Sequence, residues 1–446
     1  MDEHASPDGV TAWEDGWTPL PFDRDGSCIA PRTRADILLA AADDEITDVV
    51  VFAHGWNNDR QVASERYADF IAEFQAMQSR HGLPPVDGVL LVGILWPSTT
   101  LVFGDERVLA MAGSGSADSE IAELSALVDP SDRERFLDLA SRTSLTPAES
   151  ADLARCLPTA LGLSDDEAPE DAGGDGRPTT VWQHLPGVDD GREPSTDEIA
   201  EALASFGLEG STASADTFAE DDLTAAGGGF VDPRKVIRVL SVRQMKDRAG
   251  AVGAAGVARF LEDLLRGSTA RVHLVGHSYG ARVVLAAVCA TRDVRPVRSM
   301  LLLQPAVSHL CFADRVPDTE RRAGFADAPD RVELPILATY SPHDRPLRTF
   351  FHLALWRRGD LGELSMAGRA RTPKYGALGG FGPSELGARA DWLPMSLPPA
   401  RYDVTPGRVS VVALDGDRTI SGHGDVISEA TTWALYNLMT DESGPP

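Results

Sequence analysis

The sequence predicts the α/β class: a doubly wound, mostly parallel sheet that carries one large, mostly helical insertion. Three observations lead there. Short unbroken apolar runs, such as Val49-Val50-Val51-Phe52-Ala53, suit strands covered on both faces. These runs alternate with helix-length patterns, the order in which a parallel sheet is wound. The alternation lapses once, between residues 98 and 235, where the composition changes as well. With 43% apolar residues in 446, the chain can fill one large core with an insertion, or two domains.

Residues 1–30, with Pro19, Pro21 and Gly26, are polar and turn-rich and announce no element. Arg34 to Ala42 fits a short amphipathic helix. Thr47 to Ala53 is the first strong strand and ends at His54-Gly55-Trp56. Asn58 and Gln61, three apart, resemble a capping box at the head of a helix over 60–79. Val89 to Trp96 is the next strand, stopped by Pro97, and strand, helix and strand at this spacing make a βαβ unit. Farther on, Val236 to Val242 reads as a strand, 248–266 as a helix, Arg271 to Val275 as a strand and Ala281 to Ala290 as a helix. Strands are expected again at Val297 to Leu303, Leu334 to Tyr340 and Arg408 to Leu414, then a last helix over 425–439. The core is therefore expected in two parts, 1–97 and 236–446, around an insertion at 98–235.

That insertion holds 29 acidic and 9 basic residues, most of the excess behind the net charge of −27. Short helical patterns lie near 118–127, 131–141, 147–156 and 196–206, and Ser164 to Arg177 has the acidic, Gly-rich composition of a mobile loop. Gly227-Gly228-Gly229 reads as a hinge or linker; no Lys-Ser/Thr follows, as a phosphate loop requires. Where the segment interrupts the fold, a lid or cap is expected.

Strong acidity disfavours nucleic acid and anionic membrane surfaces as partners. Met1-Asp2-Glu3-His4 lacks the basic and apolar regions of a secretory signal, and no run reaches the roughly 18 apolar residues of a membrane span. Cys28, Cys156, Cys289 and Cys311 are scattered without a CxxC pair, which suits reduced thiols rather than a disulfide framework or a zinc site. No HExxH or glycine-rich nucleotide fingerprint occurs. A cytoplasmic protein without metal, cofactor or transmembrane segment is expected.

Gly276-His277-Ser278-Tyr279-Gly280 carries the chemistry. Alone, a G-x-S-x-G is a weak signal, and an ordinary glycine-rich turn would read the same. Its context is stronger: a strand runs into it and a helix runs out. Such a turn cramps the serine, needs glycines beside it, and lifts the hydroxyl above the strand end, where a helix N-terminus favours negative charge. Serine needs a base, and the base needs an orienting acid. His423, in Ile420-Ser421-Gly422-His423-Gly424-Asp425 after the last strand, is the expected base, with His309 in reserve. Asp344, in the proline-bounded turn Ser341-Pro342-His343-Asp344-Arg345-Pro346, is the expected acid; Asp415, Asp417 and Asp425 are its rivals. His343 reads as a packed or surface residue. Two N–H donors must receive the developing oxyanion, each contributing on the order of 3 kcal/mol. Those of Tyr279 and Trp56 are expected there, with Gly55 permitting the turn and His54 holding the loop.

Val51-Phe52-Ala53-His54-Gly55-Trp56-Asn57-Asn58 together with Gly276-His277-Ser278-Tyr279-Gly280 resembles the α/β-hydrolase superfamily, in its serine esterase and lipase branch. The likeness spans about residues 45–100 and 236–440; the insertion matches nothing in it. The resemblance implies a two-step hydrolysis of a small-molecule acyl substrate, through an acyl-enzyme on Ser278, with His423 as proton relay. A serine nucleophile disfavours the aspartyl-ester chemistry found elsewhere in that superfamily. A peptidase or thioesterase would use the same residues, and a hydrolase-fold binding or scaffold protein would keep the fold without the reaction.

Overall fold

Eight segments pair into one sheet in the computed structural model: β1 (Thr18–Pro21), β2 (Asp48–Ala53), β3 (Val89–Leu95), β4 (Arg271–His277), β5 (Ser299–Leu303), β6 (Ile336–Tyr340), β7 (Ala390–Pro394) and β8 (Val411–Asp415). Their order is β1-β3-β2-β4-β5-β6-β8-β7, and every neighbouring pair is parallel. The structure describes residues 16–98 save 57 and 59, parts of 121–156, residues 242–317, 322–350 save 345, and 376–443.

The central strands are buried along their whole length, which explains their unbroken apolar character. Successive side chains leave a strand on opposite faces, so Val49, Val51 and Ala53 enter one core layer while Val50 and Phe52 enter the other. The first layer lies beneath α1 (Pro31–Ala41), the helices before β4, and α6 (Tyr279–Ala290). The second lies beneath α2 (Arg60–His81) and α7 (Glu429–Met439), where Trp433 stacks on Tyr436. From β2 the chain passes through α2 to β3, then returns to lay β4 on the other side of β2 and continues through α6 to β5. Strand order thus reverses between β2 and β4, and sheets of this kind hold ligands in the crevice at such a reversal, beyond the strands' C-terminal ends.

Several boundaries differ from expectation for local reasons. β1 lacks a strand signature because two of its four residues are prolines; Pro19 and Pro21 lie on the open edge, while Phe22 N–H just beyond them donates to Leu95 O at 2.8 Å. β7 is a short, half-exposed edge strand whose Trp392, 50% exposed, packs edge-on against Tyr340. Val242 opens a helix rather than closing a strand, and 236–241 lie outside the described residues. That helix runs as α4 (Val242–Ala251), a π-helical stretch (Val252–Val257) and α5 (Ala258–Gly267). Asn58 makes no capping box with Gln61: its amide donates to Trp56 O, and Gln61 bonds Glu65. The box forms instead at α7, between Ser428 and Thr431. Of the insertion, the helix expected at 131–141 is α3 (Arg133–Ala140), anchored by buried Phe136 and Leu139. The other expectations for 98–235, the lid and the Gly227–Gly229 hinge included, lie largely outside the described residues. No helix among the described residues is long and apolar enough to cross a membrane.

At the N-terminal end of the sheet a buried polar chain ties three strands together. Asp48 on β2 accepts from His273 Nε2 on β4 at 2.8 Å and, through both oxygens, from Arg271. His273 Nδ1 in turn lies 2.7 Å from Ser299 Oγ on β5. Burial opposes charge on Asp48, yet the bonds from His273 and Arg271 outweigh it and hold its carboxyl below the usual range. Burial also lowers His273, which therefore stays neutral with its proton on Nε2. Asp48→Ala leaves a buried imidazole and a guanidinium without their partner, and is expected to cost about 3–5 kcal/mol in urea-induced unfolding.

Candidate active site

Parallel strands all end on the same side, so the loops after β2, β4, β6 and β8 meet at the crevice. β4 ends at His277, and α6 begins at Tyr279. Ser278 alone makes the reversal between them, with φ 54° and ψ −122°, a conformation sparsely open to a residue with a side chain. Three main-chain bonds hold it there: Ser278 N–H donates to Leu303 O, and Ser278 O accepts from Ala281 and Ala306. The turn fits only because Gly280 has no side chain. A Cβ built there would stand 2.0 Å from Ala53 O at the end of β2.

Ser278 Oγ lies 2.9 Å from His423 Nε2, and His423 Nδ1 lies 2.8 Å from Asp344 Oδ2. Asp344 is wholly buried and surrounded by donors: Oδ2 also accepts from Gln304 Nε2 at 2.8 Å, and Oδ1 from Leu347 N–H at 2.9 Å. A carboxylate amid three donors acts as acceptor throughout, so His423 turns its Nδ1–H to Asp344 and its Nε2 lone pair to the Ser278 hydroxyl. The loop that carries His423 is pinned at two points. Ser341 Oγ donates to Ile420 O, and His277 Nε2 donates to His423 O at 3.1 Å.

The loop after β2 presses against the same serine. A Cβ on Gly55 would stand 2.8 Å from Ser278 Cβ. His54 anchors this loop from beneath: its ring stacks on Trp96, Nδ1 meets Gly55 O at 3.0 Å, and Nε2 accepts from Trp96 N–H. Trp96 Nε1 returns a bond to His54 O, and Tyr67 bridges His54 N–H to Ile94 O. Trp56 follows Gly55 in the chain, and its ring packs against the first core layer. Tyr279 opens α6, so its N–H is one of the leading donors that a helix leaves without an internal partner.

The rival residues are engaged elsewhere. Asp415 accepts from Asp417 N–H, Asp417 meets His343 at 3.1 Å on the surface, and Asp425 accepts from Ser421. His309 is buried, its main chain bonded to Gly376 and Ser384. β7 intervenes in the chain between the two strands expected at Leu334 to Tyr340 and Arg408 to Leu414, so Asp344 follows the third-last strand; β6 still lies directly beside β8, which brings the two loops together. Sequence reasoning missed Gln304. Its one signal was position, a polar residue between the apolar run of β5 and Pro305. Gln304 has φ 41°, donates through Nε2 to Asp344 and Gly379 O, and accepts at Oε1 from Thr339 Oγ1. Among the described residues, no three His, Cys, Asp or Glu side chains gather as a metal site would need. Comparison with protein-family models, curated proteins and solved structures returns no match.

Burial holds His54 down to about 4 and His277 well below the ordinary imidazole value, so both are neutral in the folded chain. Unfolded, each takes up a proton as pH falls through about 6.5. The stability that their neutral burial contributes is therefore present above that value and drains away beneath it. His54 alone is expected to remove about 3 kcal/mol between pH 6.5 and 4, read as the fall of unfolding free energy across that range.

Proposed function

We propose that the chain is a serine hydrolase of the α/β-hydrolase type that cleaves carboxylic esters of small molecules. The single observation behind this reading is the bonded chain Ser278–His423–Asp344 at a strand-order reversal. On this reading Ser278 Oγ attacks the ester carbonyl carbon while His423 Nε2 takes its proton. The carbonyl oxygen becomes an anion facing the N–H groups of Trp56 and Tyr279, and the α6 N-terminus adds its partial positive charge. Collapse expels the alcohol, which leaves with the proton held by His423, and the acyl group stays on Ser278. Water then attacks with His423 again as base, and the acid departs. Asp344 keeps the ring oriented and stabilises the imidazolium without taking the proton. Gln304 shares the oxygen that faces His423, which makes it a positioning residue. The acidic segment 98–235 serves as the lid, and the cytoplasm as the setting.

A fluorophosphonate is expected to modify Ser278, and Ser278→Ala to reduce hydrolysis of short p-nitrophenyl esters to background with an unchanged unfolding midpoint. Undiminished turnover in that variant overturns the proposal. Asp344→Asn is expected to lower kcat by roughly 10⁴-fold, since it permits the wrong histidine tautomer. Gln304→Leu removes one donor from the acid and is expected to lower kcat about tenfold with KM little changed, measured by steady-state kinetics.

A further inference from the structure

His423 is held through its side chain and, at one point only, through its main chain. Its ring nitrogens Nδ1 and Nε2 meet Asp344 and Ser278. Among the described residues its main chain makes a single hydrogen bond, in which His423 O accepts from His277 Nε2 at 3.1 Å. The bonds within the loop pass the residue by: Ser421 N–H and Oγ donate to Asp425 Oδ2, and Asp425 N–H donates to Gly422 O. Gly422 and Gly424 flank His423 in this turn, and glycine restrains a turn least. His277 is placed far more firmly. It is the last residue of β4, paired with Leu303 of β5 in the middle of the sheet, and it is buried. Phe52, Tyr67 and Val426 line the same small void as its ring.

These contacts close a circuit. It runs from Ser278 along one peptide bond to His277, across to the His423 carbonyl, through that residue to its Nε2, and 2.9 Å back to Ser278 Oγ. The serine and the histidine that faces it are thereby keyed to each other through adjacent residues of one strand end. Asp344 fixes the direction of the imidazole, and His277 fixes the point from which that imidazole starts. We infer that His277 is a positioning residue of the reaction, setting the distance between His423 and Ser278 by its hold on the His423 carbonyl. This rests on Ser278 being the nucleophile and His423 its base. The bond needs the His277 proton on Nε2, and burial keeps the ring neutral, with one proton to place. Small errors of placement matter here, since a shift of about 1 Å can lower a rate roughly 10²-fold.

Side-chain reach separates this bond from packing. In His277→Gln the amide nitrogen falls where the imidazole Nε2 stood, in His277→Asn it stops one bond short, and His277→Met fills similar space with no donor. Each full-length variant is assayed on a short p-nitrophenyl ester, with its unfolding midpoint measured alongside. His277→Met and His277→Asn are expected to lower kcat about 10²-fold with KM little changed, and to slow fluorophosphonate modification of Ser278 by the same factor. His277→Gln is expected to keep kcat within about threefold of the unaltered chain. A packing role would instead lower the unfolding midpoint while leaving kcat alone, or lower kcat equally in the His277→Gln and His277→Met variants; either result overturns the inference. The unaltered chain supplies a reading that needs no variant to fold. Proton–nitrogen NMR spectra of its imidazoles are expected to place the His277 proton on Nε2, and a proton on Nδ1 overturns the inference. Folded His277→Met protein that labels and turns over as fast as the unaltered chain overturns it too, and leaves the hydrolase reading standing. An unaltered chain that neither labels at Ser278 nor hydrolyses the ester overturns the hydrolase reading and the inference with it.

Discussion

The close approach of α6 to the end of β2 governs the arrangement of the crevice. Gly280 faces the Ala53 carbonyl with nothing between them, and that contact sets how near the helix start can come to the neighbouring strand. Because it is so near, Ser278 must reverse the chain in one residue, and its hydroxyl is lifted clear of the strand it follows. The loop after β2 is drawn to the same point, with Gly55 filling the gap beside the serine. A methyl group at either glycine would push the two segments it separates apart. Nearly all of α6 is buried, so the helix has little freedom to yield.

β4 carries a histidine-centred chain toward each of its ends. At its start, Asp48, His273 and Ser299 form a carboxylate–imidazole–hydroxyl chain, and at its end Asp344, His423 and Ser278 form another of the same chemical order. Distances do not tell them apart. Their settings do. The first sits within the strands themselves, where all three side chains are sealed and an arginine neutralises the acid. The second is borne on loops beyond the strand ends, at the strand-order reversal, with its histidine partly exposed. The first works as a clip across β2, β4 and β5; the second is arranged so that a molecule can reach it.

Much of this was legible in the residue order. Runs such as Val49 to Ala53 can only be strands with two covered faces, and Gly276 to Gly280 between a strand and a helix marks the sharp turn. Ser278, His423 and Asp344 could be named because each follows an apolar strand, and the loops after parallel strands share one side. Edge strands were harder. β1 is half proline, and β7 mixes a charge, an exposed tryptophan and a proline, so neither has the continuous apolar signature. Gln304 was hidden for another reason: its role depends on β5 and β6 lying side by side, so that Thr339 orients its amide toward Asp344. Pairings of that kind belong to the register of the sheet, and no local pattern encodes them.

The prolines of β1 have an effect beyond obscuring the strand. Successive peptide groups of a strand point alternately to either side, and Phe22 N–H points inward to Leu95. Pro19 and Pro21 therefore occupy the outward positions, where each would otherwise hold an N–H toward solvent. The chain then folds back so that Ile29 N–H covers the outward carbonyl of Pro21. A ninth strand approaching this margin would find almost nothing to pair with, and the sheet is closed to growth there by the chemistry of two residues.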